Sequence, residues 1–478
     1  MSPTLALLAV YSAALVLVGA LVSRRVKVAG DFFVAGRALP GWLVFVTLLA
    51  ANIGAGSTVG ATGLGYRYGL SAWWWSGSAA LGCLLLGLVV APRLYVLAAA
   101  RGFLTVGDFL EARFDRSVRG LVAGILWIGT LSILAGQIIA MAWALNVMVA
   151  VPKAWGCLLA GAILVAYVGG GGLLASVWVN LLELGVLLVG FLLAVPYSWH
   201  AAGGWPGLST ASPSPSYGSF LGMGWDGILG LLVLFVPSFA ISPGLVQKTY
   251  GARSAQAART AVLASSLALA VFAFIPPLLG MAARVVAPGL ENQELALPRL
   301  LMSPILPAWL GALGLAALFA AEISTADAVL FMLSTSLSKD LYKTFLAPNA
   351  DDHQLLRVGR WTSVGAGLLG VGLAVVLPSV VTALRVFYGM MTVALLVPLL
   401  GGLWLPRAGP SAARMAIVTA IGVTYGSLWA WGGRPSASWA PYALGLSAAT
   451  VALLLRSLGA KQQVVDQAGA TDPGRQQE

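Results

Sequence analysis

The stretch Ala50-Ala51-Asn52-Ile53-Gly54-Ala55-Gly56-Ser57, followed by Gly60, Gly63 and Gly65, lies inside an apolar run over residues 43–66. Glycine inside a helix costs about 1 kcal/mol relative to alanine. Several of them around an asparagine mark a place where a helix can unwind. A second interruption, Pro237-Ser238-Phe239-Ala240-Ile241-Ser242-Pro243-Gly244, lies in the apolar run 226–249. Its prolines remove backbone donors and leave carbonyls free. Opened backbone at membrane depth is tolerated only where it lines a cavity or is buried in protein. Glycine in a membrane helix also serves close helix packing. Two broken helices in matching positions of two halves nevertheless point to a transporter's binding site.

The rest of the chain fits a membrane setting. Of 478 residues, 59% are hydrophobic and 9% charged, against about 25% charged in soluble domains. That excludes a soluble globular enzyme and a disordered or fibrous chain. Unbroken apolar stretches of helix-spanning length exclude a membrane β-barrel, whose strands are short and alternating. About thirteen spans are predicted: 4–22, 43–66, 70–98, 120–150, 154–170, 176–197, 226–249, 258–287, 305–340, 358–378, 382–405, 412–432 and 439–457. The expected class is an all-α polytopic membrane protein.

Basic residues set the orientation. The first span has none before it and Arg24, Arg25 and Lys27 after it, the reverse of a cleaved signal peptide. Threading outward from there leaves only Arg67, Lys153, Arg284, Arg299, Arg385 and Arg434 outside. The other 21 of the 27 basic residues, Lys248 and Arg119 among them, fall in loops predicted cytoplasmic. This positive-inside bias supports an odd span count, an outer N-terminus and a cytoplasmic C-terminus. It also accounts for the net charge of +11 without a nucleic-acid partner.

The two broken spans head stretches of five spans each, 43–197 and 226–405, which begin on opposite sides of the membrane, as inverted repeats require. An N-terminal extra helix and loop (1–42), an outer loop (198–225), two extra helices (406–457) and a tail (458–478) complete the expected organisation. A further outer loop is expected at 288–304.

Polar groups inside spans are functional candidates because they are costly there. They are Asn52, Asn180, Glu183, Glu322 and Asp327. In Ala321-Glu322-Ile323-Ser324-Thr325-Ala326-Asp327, a turn of about 100° per residue puts Ala321, Ser324 and Thr325 on one face. One carbonyl and two hydroxyls there are hard oxygen donors that suit an alkali cation, although serine and threonine also bond back to the preceding turn. Glu322 and Asp327 flank that face. Cys83 and Cys157 sit in apolar runs and read as small core residues. No G-x-x-x-x-G-K-[ST] loop, H-E-x-x-H motif or Ser–His pair is present, so neither an ATP-driven pump nor an intramembrane enzyme is expected.

Several segments resemble the sodium:solute symporter family, which includes sodium/proline, sodium/pantothenate and sodium/glucose symporters. They are Asp31 to Arg37, Ala50 to Tyr66 followed by Gly69, Thr105 to Phe114 (TVGDFLEARF), Gly171-Gly172-Leu173, Gln247-Lys248 and Ala321 to Tyr342. The resemblance covers roughly residues 30–410. It implies the LeuT-type 5+5 inverted-repeat fold and sodium-coupled import of a small organic solute by alternating access. It implies a sodium site made by the carbonyls of Ala50, Ile53 and Ala321 and the hydroxyls of Ser324 and Thr325. It implies a neighbouring solute site lined by Asn52, Ser57, Trp75, Ser76, Phe235 and Ser238. Many members carry a Thr-Asp pair in the fifth core helix, where the Asp is thought to assist sodium release. Here the pair is Val179-Asn180 with Glu183 one turn later, so Glu183 is the candidate substitute.

A proton-coupled transporter on the same scaffold, using Glu183, Glu322 or Asp327, is the alternative. A lining of small and apolar residues favours a monocarboxylate or amino acid, whose carboxylate could sit at a half-helix N-terminus. The expected partners are that solute, sodium and membrane lipid, in a bacterial plasma membrane, with no obligate protein partner.

Overall fold

The computed structural model describes residues 34–167, 172–432 and 437–458. The expected span 4–22 and the tail lie outside the described residues, as do Arg24, Arg25, Lys27, Arg434, Lys461 and Arg475. Each of the other expected spans falls on described helix.

The first broken span is α1 (Gly41–Asn52) and α2 (Ala61–Tyr68), separated by extended Ile53 and a π-helical turn, Gly56–Gly60. Then follow α3 (Trp73–Leu85), α4 (Ala91–Arg101), the short α5 (Val106–Arg113), α6 (Arg116–Val149), α7 (Lys153–Tyr167), α8 (Gly172–Ala201) and the short α9 (Gly204–Thr210). The second broken span is α10 (Gly224–Ile241) and α11 (Pro243–Tyr250). After it come α12 (Ala255–Phe272), α13 (Ile275–Val286), α14 (Ala296–Leu301), α15 (Ala308–Thr335), α16 (Asp352–Val376), α17 (Val380–Trp404), α18 (Pro410–Ala430) and α19 (Ala440–Leu458). Nine helical stretches among the described residues are long and apolar enough to cross a membrane by length and composition.

The helix starts follow from local chemistry. Thr105 and Asp108 form a capping box on α5, and Asp115, Ser254, Asp351 and Ser379 cap α6, α12, α16 and α17 through their side-chain oxygens. Each accepts from a backbone N–H that the first helical turn leaves unpaired. The second break differs from the expectation. Helix α10 runs through Pro237 and ends only at Ser242, before Pro243. A lone proline costs one hydrogen bond, which packed neighbours in a membrane protein can absorb. Pro243, by contrast, sits at the start of a helix, where its missing N–H is harmless.

The two breaks meet in the middle of the bundle. α15 packs against α1, α6, α8 and α11, while α2 packs on α13, α1 on α12 and α3 on α10. The α2–α13 contact depends on Gly280. A Cβ there would collide with Thr62 O and lie 2.6 Å from Tyr66 N, both of them backbone atoms. Gly280→Ala is therefore expected to destabilise the protein by about 1–3 kcal/mol through forced overpacking, read as a lower unfolding midpoint in detergent. An unchanged midpoint would show that the helices can separate at no cost.

Basic side chains tie loops distant in sequence together in two groups. At the basic end, Arg37 donates to Tyr250 O, Ala98 O and Phe103 O. There too Arg113 donates to Gly402 O, Leu405 O and Ala408 O, and Arg414 pairs with Asp115. At the other end, Arg284 donates to Ala211 O and Tyr66 O, and Lys153 donates to Leu377 O. Two basic residues assigned to loops are not in loops. Lys248 and Arg119 are 2% and 5% exposed. Charge counting along the chain registers which end a residue is near, not whether helix packing covers it.

Candidate functional site

Between Asn52 and Gly56 the chain leaves helical geometry against the middle of α15. Thr325 Oγ1 donates to Ile53 O at 3.2 Å. Gly54 is required at this point, because a Cβ would run into Thr325 Oγ1 and lie 2.7 Å from Gln137 Oε1. Gln137 in turn accepts the Ala55 N–H at 2.8 Å. The break thus brings Ile53 beside Thr325 of the expected five-oxygen set. All five residues, Ala50, Ile53, Ala321, Ser324 and Thr325, are buried.

Ser324 has a second task. Its hydroxyl donates to Asn180 Oδ1 at 3.0 Å, and Asn180 Nδ2 donates to Thr47 Oγ1 at 2.8 Å. The same Thr47 oxygen accepts from Lys248 Nζ at 2.9 Å. The Lys248 ammonium also faces Asp327 and Glu183. Glu183 is fully buried, against Ser324 and Lys248. Asn180, Glu183 and Asp327 therefore belong to one buried network with Ser324. Lys248, a residue that sequence reasoning placed in a loop, completes it.

Glu322 points the other way, to the chain that resumes after the break. Its Oε1 accepts from Thr58 Oγ1 at 2.7 Å, and its carboxylate also faces the Ala55 N–H. Oε2 is buried without a partner. Glu322 thus faces the first turn after the break, one of the half-helix ends at which a solute carboxylate could sit.

Beside the break lies a narrow cavity lined by Asn52, Ser57, Trp75, Ser76, Phe235 and Thr325 among others. Five of the six expected solute-site residues line it. Ser238 does not: its hydroxyl bonds to Thr392 Oγ1 at 2.5 Å and to Leu234 O at 2.6 Å, inside the α10–α17 contact. Gln137, Phe239 and Tyr388 were missed and do line the cavity. Gln137 is a lone amide in an apolar span and was visible as such; nothing in the aromatic pattern distinguished Tyr388 from core. A second cavity shares Asn52, Thr325 and Tyr388 with the first and includes Lys248. A third shares Met332, Phe387 and Met391 with the second and reaches Arg119 and Asp340.

Residues 32–419 match the sodium:solute symporter family. The chain belongs to this family. Among relatives, the sodium/glucose cotransporter of Vibrio parahaemolyticus is 26% identical over 456 residues, covering 86% of this chain and 82% of its own. The sodium/pantothenate symporter of Escherichia coli K12 is 27% identical over 427 residues, covering 83% and 84%. The substrate-bound outward-open structure of a Na+-coupled sialic acid symporter superposes with a TM-score of 0.81 at 20% identity, over 96% of this chain and 99% of that one. The fold of this sodium:solute symporter is accordingly LeuT-like, and the chain is a multi-pass membrane transporter, not an enzyme. Its activity is sodium-coupled symport of a small solute.

Proposed function

We propose that the coupling sodium ion binds at the break, on the carbonyls of Ala50, Ile53 and Ala321 and the hydroxyls of Ser324 and Thr325. The solute occupies the adjoining cavity, and the connected cavities toward Arg119 form its path to the cytoplasm. The repeats are 43–197 and 226–405, with the basic end cytoplasmic in a bacterial plasma membrane. The observation that carries this reading is the 3.2 Å contact of Thr325 Oγ1 with Ile53 O, which brings oxygens of the opened helix and of α15 to one point. The test is a thermal-shift screen of purified protein against a solute library, with and without sodium, followed by uptake into vesicles at fixed pH. A ligand that binds N but not U stabilises by mass action, so solute and sodium should each raise the midpoint further in the presence of the other. Solute binding indifferent to sodium would reject the reading. Labelling of an introduced cysteine near Arg116 from outside intact cells would reject the orientation.

Glu183 stands in for the family Asp as the group that eases sodium off Ser324 toward the cytoplasm. Glu183→Gln is expected to slow transport more than it weakens solute binding, in parallel uptake and binding assays. Normal transport by this variant would remove Glu183 from the exit route.

One observation favours a second reading. Glu183 is a carboxyl fully buried within a span, which is what a proton-carrying group in a proton-coupled transporter on the same scaffold looks like; Glu322 and Asp327 would share that role. Uptake driven by a pH step in the absence of sodium would select it.

A further inference from the structure

We infer that Glu294 is a positioning residue for transport: from the loop between α13 and α15 it holds the first turn of α17 down over one side of the solute cavity, and its release lets that side open. This rests on the reading above, in which the cavity beside the break takes the solute and the Arg119 end is cytoplasmic.

Glu294 is a loop residue and is only 2% exposed. Its Oε2 accepts from Val380 N–H and from Trp143 Nε1, both at 3.1 Å, and its Oε1 accepts from Val381 N–H at 3.2 Å. The Lys153 ammonium faces the same carboxyl and donates to Leu377 O, just before α17. Helix α17 already has a cap of its own, since Ser379 Oγ accepts from Thr382 N–H. Glu294 takes two further donors that the first turn leaves unpaired, and it comes to them from 86 and 87 residues away.

The loop itself is fastened to the second half of the broken span. Leu290 N–H donates to Tyr66 Oη at 3.0 Å, and Tyr66 Oη donates to Ala287 O at 2.9 Å. A Cβ at Gly63 would lie 2.9 Å from Gln293 O. Through its loop, Glu294 thus ties α2 to α6 and α17.

The tether holds a cover in place. Val380 and Val381 pack on Gly60 of the π-helical turn, where a Cβ would lie 3.8 and 3.7 Å from their methyl groups. One turn further along α17, Leu384 lines the cavity. A Cβ at Gly56 would run into Leu384 Cδ2, and one at Gly136 would lie 2.5 Å from Leu384 Cδ1. The two glycines therefore leave room for this side chain between the broken span and α6. The cover lies on the side away from Arg119, because Trp143 and Arg119 stand about 36 Å apart along α6. The donors that Glu294 engages stand at or near helix ends, where water can replace a carboxyl oxygen, so letting go costs only the modest net worth of each bond.

The test is thiol labelling from either side of the membrane. Ser57→Cys, on the cavity lining, is introduced into the full chain carrying Cys83→Ala and Cys157→Ala. Its reaction rate with a membrane-impermeant methanethiosulfonate is measured in right-side-out and inside-out vesicles. In Glu294→Gln one carboxyl oxygen becomes an amide NH2, which meets an N–H donor whichever way it turns. Expected is labelling from the outside about tenfold or more faster in this variant, as the closed state loses one or more hydrogen bonds, with no rise from the inside. Glu294→Asp keeps both oxygens on a shorter arm and should fall between. An unchanged outside rate in a folded Glu294→Gln overturns the inference. So does an equal rise on both faces, the mark of a chain that is merely loosened. Should Glu294→Gln fail to fold, Trp143→Phe removes only the indole N–H; a smaller gain from the outside is expected there, and no gain overturns the inference. Labelling reads access to the cavity and not solute binding, so a failed solute assignment leaves this test intact. A gain confined to the inner face keeps the tether and rejects the orientation instead.

Discussion

Thr325→Ala and Ser324→Ala each lower the apparent sodium affinity by about five- to 150-fold. The figure follows from the loss of one oxygen from a small desolvated cation, at least the roughly 1–3 kcal/mol of an unmade buried polar contact, converted to a ratio. Alanine keeps the helix, since it is the better helix former, so the effect falls on the site and not on α15. The two variants should differ in one respect. Thr325 contacts only the opened helix at Ile53 O, whereas Ser324 also bonds Asn180. The loss of Ser324 therefore also removes a buried hydrogen bond to Asn180, and Ser324→Ala should be the less stable protein. Because coupling between two ligands is reciprocal, solute affinity falls at low sodium and recovers at high sodium in both. The measurement is solute binding or uptake across a sodium titration. Wild-type sodium dependence in both variants would place the ion elsewhere.

Arg119→Met destabilises the protein by about 3 kcal/mol or more. Arg119 pairs with Asp340, Asp108 and Glu111, and the first two carboxylates have side chains only 10% and 12% exposed. Removing the guanidinium leaves both without a counter-charge, the case in which breaking a buried pair costs most. Glu111 is 28% exposed and is screened by water, so it adds little. The loss is read as a lower unfolding midpoint. Arg119→Lys keeps the charge but loses the fork that reaches three partners, and should fall between wild type and methionine. The cluster also ties α5 and α6 to the π-helical segment Ser336–Leu346 that continues α15, through Thr105 Oγ1 and Asp340. A methionine variant as stable as wild type would show that water already reaches these carboxylates.

Much of this was legible in the residue order. The apolar runs located the described helices because a bilayer admits few other ways to satisfy a backbone. The caps at Thr105, Asp115, Ser254, Asp351 and Ser379 are local signals that need no tertiary context. The glycines around Asn52 marked the first break and Ser242-Pro243 the second, and the Ala321–Thr325 face was readable from helical angle alone.

What depends on neighbours brought from afar was not. Pro237 breaks no helix, since packing around α10 absorbs the lost hydrogen bond, and Ser238 turns into α17 to reach Thr392, away from the cavity it was expected to line. Lys248 and Arg119 looked like loop charges and are buried, Lys248 against Glu183 and Asp327 and Arg119 against distant Asp340 as well as nearby Asp108 and Glu111. Asn180, Glu183 and Asp327 were separate candidates; only α1, α8, α11 and α15 packed together make them one network with Thr47 and Lys248. Glu322 was a flanking acid of undecided role until the break of the first span arrived against it. Sequence by itself determined the elements and the oxygen-bearing face, because helix formation, capping and membrane insertion act over a few residues or one span. Tertiary structure alone decided which buried charges are matched and which helix end is already filled, because those energies depend on distances between residues up to 264 positions apart, as for Thr58 and Glu322.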